Sequence, residues 1–180
     1  MPRGAGSQDR RYCVHNRNQP NPDECRWYVS AGRIIIAHSC GHIVAMRTMF
    51  WHESHAHVFA LLREVHKYCP NLFAFGYDDA CHFAPWVRSR YRQSADLLAR
   101  HLAVSLDYFV DRFHFCGHTD PTCHTLYNPH DRAYLAGANT STTEQQWHWL
   151  NRYGHIERHM KSTRADVLLL RMAMLRNTVR

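Results

Sequence analysis

From Trp27 onwards, the hydrophobic and polar positions of this chain resolve into a readable series of elements. Residues 33–39 (RIIIAHS) and 43–50 (IVAMRTMF) are β-branched and aromatic-rich runs separated by Cys40-Gly41-His42. That pattern predicts a β-hairpin, with Gly41 supplying the turn conformation. Glu53 and Ser54 then open a helix whose apolar positions Val58, Phe59, Leu61, Leu62 and Val65 are spaced for one buried face. It should end near Cys69-Pro70, because proline disfavours helix in the residue before it.

Leu72, Phe73, Phe75 and Tyr77 predict a short buried strand that delivers Asp78 and Asp79 at its C-terminal end. In α/β sheets, ligands and metals collect at such ends. A second helix is expected from Pro85, with Trp86, Val87, Tyr91, Leu97, Leu98 and Leu102 on its apolar face and Arg88, Arg90, Arg92 and Arg100 carrying its charge. Residues 108–115 (YFVDRFHF) read as another strand, followed by a Cys/His-rich segment and a turn at Tyr127-Asn128-Pro129. A polar loop runs to Ser141, and two helices, roughly 142–159 and 164–177, close the chain. This order of strands and helices predicts an α/β fold with a mixed sheet.

Composition narrows the reading. At 180 residues, 45% of them hydrophobic, the chain suits a single domain with a proper core. Residues 1–26 are polar and are expected to form a flexible basic arm ahead of a domain spanning 27–180. Cys13 and Cys25 in that arm match no tight metal knuckle. A net charge of +7 favours a polyanionic partner, nucleic acid first. No long apolar run predicts a membrane span, and the charged N-terminal stretch lacks the apolar centre of a secretory signal. The odd count of seven cysteines argues against a closed disulfide framework and for a reducing compartment.

Sixteen histidines are the compositional anomaly, several of them beside or one residue from a cysteine: Cys40-Gly41-His42, Cys81-His82, Cys116-Gly117-His118 and Cys123-His124. Thiolate plus imidazole is the ligand set that zinc prefers. His114, His118 and Cys123 lie close in sequence, and Cys81 is the natural fourth ligand if the acidic strand runs alongside. Such a Cys2His2 site would be structural, since its binding energy is folding energy. Cys116 or His124 could take one of these places, or the histidines could be packing residues. Residues 52–57 (HESHAH) are not the HExxH of zinc proteases, because the second histidine comes one residue early, and they are read as a helix start with exposed histidines.

The second candidate chemistry is acidic: Asp78 at a strand end and Glu144 at a helix start. Asp78-Asp79 could instead simply close a turn, and Ser141-Thr142-Thr143-Glu144 is also a good capping box.

Taken in order, C40-G-H, E53-S54, YDDAC (77–81), FVDRFHF with H118 and C123, YNP, and NT with EQ resemble the catalytic domain of Kyakuja-Dileera-Zisupton (KDZ) type transposases, over roughly residues 32–160. The resemblance implies an RNase H-like mixed sheet with flanking helices and a Cys/His zinc-binding insertion, and a metal-dependent DNA strand-transfer centre. It places the second catalytic acid at Asp78 and the helix acid at Glu144, with zinc on Cys81, His114, His118 and Cys123. Mg²⁺ or Mn²⁺ would serve catalysis. DNA is the expected partner, through Arg88, Arg90 and Arg92; self-association is compatible with the sequence, and the expected location is nuclear. No buried strand ending in an aspartate precedes Arg33, so the first catalytic strand is expected to be lacking. The chain is then expected to be a transposase-derived DNA-binding domain, inactive alone. The rival expectations are an active Mg-dependent transposase or nuclease and a zinc-stabilised DNA- or protein-binding module.

Overall fold

The computed structural model describes residues 32–49, 53–157 and 159–179. The expected arm, with Cys13 and Cys25, lies outside the described residues, as does His52. Two small sheets carry the fold. β1 (Gly32–Ala37) and β2 (Ile43–Met49) form an antiparallel hairpin, while β3 (Ala74–Gly76) and β4 (Asp107–Phe109) pair in parallel. Among the described residues, the single mixed sheet expected from the sequence is therefore two separate pairs.

The hairpin forms as its sequence demands. Gly41 adopts φ +91°, a left-handed conformation in which a side chain would be strained. Strand alternation then gives β1 two working faces. Ile34 and Ile36 enter the main core, and Ile35 enters a smaller one with Ile43, Leu150, Leu169 and Ala173.

α1 (His55–Tyr68) starts where Ser54 accepts a hydrogen bond from the His57 backbone N–H and buries the apolar face read from its spacing. Its histidines are not the exposed ones expected. His55 is half-buried, 2.8 Å from Asp79 and edge-on to Phe83 and Trp86.

The expected strand over 72–77 is confined to β3, and Phe73 is 61% exposed instead of buried. Gly76 is required by close packing: a Cβ there would lie 2.6 Å from Phe109 Cε2. Gly76→Ala should therefore destabilise the fold by about 1–2 kcal/mol through displacement of that buried ring, read as a lowered urea midpoint with unchanged slope.

The helix expected from Pro85 is two helices, α2 (Ala80–Tyr91), which carries Pro85 in its second turn, and α3 (Leu97–Ser105). Asp96 causes the break, since its carboxylate caps the Leu98 and Ala99 N–H groups (3.0 and 3.1 Å) and starts a new helix. The same device overturns the strand expected over 108–115. β4 stops at Phe109, and Asp111 caps Phe113 and His114 (2.9 and 3.2 Å) to begin the short α4 (Arg112–Phe115).

α5 (Pro121–Leu126) carries Cys123, and α6 (Thr142–Leu150) packs against β1. The long helix expected to reach residue 159 ends at Leu150, then continues as a 3₁₀ turn and the short α7 (Gly154–Glu157). α8 (Ser162–Thr178) lies along β2. Its Asp166 pairs with Arg33, and the Asn177 side chain bonds both the N–H and the carbonyl of Ile43 (2.9 Å each).

Arg132 fixes the loop ahead of α6. It binds Asp107 with two nitrogens (2.8 and 2.9 Å) and also reaches the carbonyls of Asn128, Tyr108 and Leu126. Arg112 holds the next stretch through the carbonyls of Leu135 and Ala138 (2.7 and 2.9 Å).

Candidate metal centre and carboxylate groove

The parallel pair β3–β4 delivers both sets of candidate chemistry. Just past β3, α2 places Cys81 in its first turn, and α5 presents Cys123 with no exposed surface. His118, only 3% exposed, closes the triangle. Its Nδ1 lies 3.2 Å from Cys123 Sγ and 3.7 Å from Cys81 Sγ. Zinc bonds of about 2.3 Å to sulfur and about 2.0 Å to nitrogen put donors about 3.6 Å apart around a tetrahedral ion. Cys81, His118 and Cys123 thus fit a zinc-class metal in donor chemistry and spacing. His124 Nε2 donates to the His118 carbonyl (2.8 Å) and steadies that ligand from outside.

His114, the other member of the ligand set expected from sequence, stands elsewhere. The Asp111 cap turns it away on α4, with Nδ1 2.6 Å from Asp111 Oδ2 and Nε2 3.8 Å from Glu144 Oε1. The residue beside the cluster is His82, whose Nδ1 lies 3.4 Å from Cys81 Sγ and 2.5 Å from Asp79 Oδ1. The adjacent Cys81-His82 pair was the sequence signal for it. Burial opposes ionisation of Asp79, yet hydrogen bonds from His55 and His82 outweigh it and hold this carboxyl below its ordinary range.

The carboxylates lie in a groove of about 970 Å³ between β1 and β3, which Glu53, Asp78, Asp111, His114 and Glu144 help to line. The capping box open to Glu144 does not form: Ser141 makes no side-chain cap, and Glu144 faces His114. Burial, then the charge of Glu53, push the Asp78 carboxyl up to about 6, against the pull of His114. His114 is raised in turn, first by its hydrogen bond to Asp111, with Asp78 and Glu144 adding negative potential and burial opposing. Glu53, which the sequence presents only as a helix-start residue, is thus part of this site; its carboxylate accepts the Tyr77 hydroxyl at 2.7 Å.

Arg88 and Arg90 on α2, and Arg92 at its C-terminal cap, are all exposed. A turn of about 100° per residue puts Arg88 and Arg92 on one side and Arg90 on another. Arg88 donates to the Tyr127 hydroxyl (3.4 Å), and Arg90 stacks 4.6 Å from the Trp86 ring centre. No helix among the described residues is long and apolar enough to cross a membrane.

These features define a mixed α/β domain with a Cys/His cluster able to hold a metal and a carboxylate-lined groove that the cluster residues do not line. The family model described as Kyakuja-Dileera-Zisupton transposase matches residues 12–174, and the chain belongs to that KDZ transposase family. No curated protein and no solved structure matches it.

Proposed function

We propose that the chain is an RNase H-like, DNA-binding domain of transposase descent, acting in the nucleus, with a structural zinc on Cys81, His118 and Cys123 and no strand-transfer activity by itself. The observation that carries this reading is the convergence of Asp78, from the end of β3, and Glu144, from α6, on His114 in one groove. Bound there, Mg²⁺ or Mn²⁺ would supply Lewis acidity to a phosphoryl group and an activated hydroxyl nucleophile. The chain's own residues oppose such loading. His114, raised toward the cationic form first by its hydrogen bond to Asp111, stands 3.8 Å from Glu144 and favours a proton over a metal there, and the raised Asp78 holds its proton more tightly than an ordinary aspartate. Exposed Arg88, Arg90 and Arg92 supply phosphate contacts beside the groove-bearing strand pair.

Glu53 favours a second reading, an active metal-dependent nuclease or transposase, because it offers a third carboxylate next to Asp78. Incubation of the purified chain with plasmid DNA and Mg²⁺ or Mn²⁺ separates the two. The expected result is salt-sensitive DNA binding without cleavage or joining, unchanged by Asp78→Ala, and Arg92→Ala should reduce the salt slope by about one. Metal-dependent cutting that disappears in both Asp78→Ala and Glu144→Ala, with the fold intact, would establish the second reading instead.

A further inference from the structure

The hairpin tip carries a cluster that the transposase reading does not use. We propose that His38, Cys40 and His42 form a separate zinc-class metal site at the β1–β2 turn. Cys40 Sγ lies 3.1 Å from His38 Nδ1 and 3.0 Å from His42 Nδ1. The turn builds this arrangement. The His38 N–H bonds the His42 carbonyl (2.8 Å), fixing the two histidines as cross-strand neighbours, and the Gly41 N–H bonds the His38 carbonyl (2.7 Å). With Gly41 left-handed at φ +91°, the chain folds Cys40 back between the two rings.

The local hydrogen bonding also selects the ligating form of one ring. The Cys40 backbone N–H donates to His38 Nδ1 at 3.3 Å, so that nitrogen carries the lone pair and Nε2 the proton. One thiol and two imidazoles suit zinc and its cobalt surrogate better than a hard cation. Donors around zinc stand about 3.6 Å apart, so each ring must draw slightly away from Cys40 while the two imidazoles, which do not yet converge on one point, swing toward each other to share an ion. All three residues are exposed, leaving the rings room to turn and the ion a route in. Three protein donors leave a tetrahedral ion one further position, for water or a donor from elsewhere. This site shares no residue with the Cys81, His118 and Cys123 cluster, so it stands whether or not that cluster holds a metal.

Cobalt titration of the full chain, followed by thiolate-to-metal charge-transfer absorption, tests the proposal by difference. Cys40→Ala should bind one equivalent fewer than wild type while its circular dichroism stays unchanged. A His38→Ala/His42→Ala double variant, which keeps the thiol, should weaken the same equivalent by more than the roughly 10–100-fold expected for loss of an outer-shell partner. Equal stoichiometry and affinity in wild type and Cys40→Ala would overturn the assignment. So would a double variant that binds as tightly as wild type, which would reduce Cys40 to a surface thiol capturing metal alone.

Discussion

Cys123→Ser should lose one zinc per chain relative to wild type and, with it, cooperative thermal unfolding. Cys123 is wholly buried and Cys81 and His118 nearly so, at the junction of α2 and α5. A structural zinc is worth roughly 10–16 kcal/mol in small zinc domains. Even a fraction of that rivals the total stability of about 5–15 kcal/mol typical of a domain. A strong chelator should reproduce the effect in wild type, and His118→Ala should match Cys123→Ser. Elemental analysis with a thermal melt checks both. A well-folded wild type whose metal content does not change in Cys123→Ser would sink the cluster as a metal site.

Asp78→Asn should stabilise the chain at pH 7 and leave it unchanged at pH 4, measured by urea unfolding without added divalent cation. The native carboxyl is pushed from 3.8 to about 6, so the native state binds this proton more tightly than the unfolded chain does. The stability this group contributes is therefore complete below the unfolded value near 3.8 and is lost as pH rises through about 6. A shift of about two units corresponds to an upper limit of about 3 kcal/mol, and about 1–3 kcal/mol is the expected gain. Asparagine keeps the oxygen that accepts the Asp79 N–H at 2.8 Å, so that local bond survives. A variant less stable than wild type at pH 7 would mean that the ionised carboxylate is structural.

What could be read from the sequence followed the strength of local signals. Gly41, Ser54 and the Cys69-Pro70 boundary each act on their immediate neighbours, and the hairpin and α1 formed where they were expected. Asp96 and Asp111 act just as locally, but each sits inside an apolar pattern that suggested continuity. One broke a helix and the other ended a strand after three residues. The second had the larger consequence, because a strand would have carried His114 toward His118, whereas the α4 turn carries it to Glu144. Cys81, His118 and Cys123 were legible as residue types, but their meeting depends on how α2 and α5 pack. Glu53 carried no signal of its own kind, since its place beside Asp78 depends on Tyr77 and the course of the chain into α1.

The bond pair between Asn177 and Ile43 bears on how this molecule behaves in a crowded solution. A strand at a sheet margin presents backbone donors and acceptors that can recruit another chain. At Ile43 the carboxamide of α8 fills both positions, imitating the peptide group of an absent neighbouring strand. The C-terminal helix thus acts as a stopper against intermolecular sheet growth at that end of the hairpin.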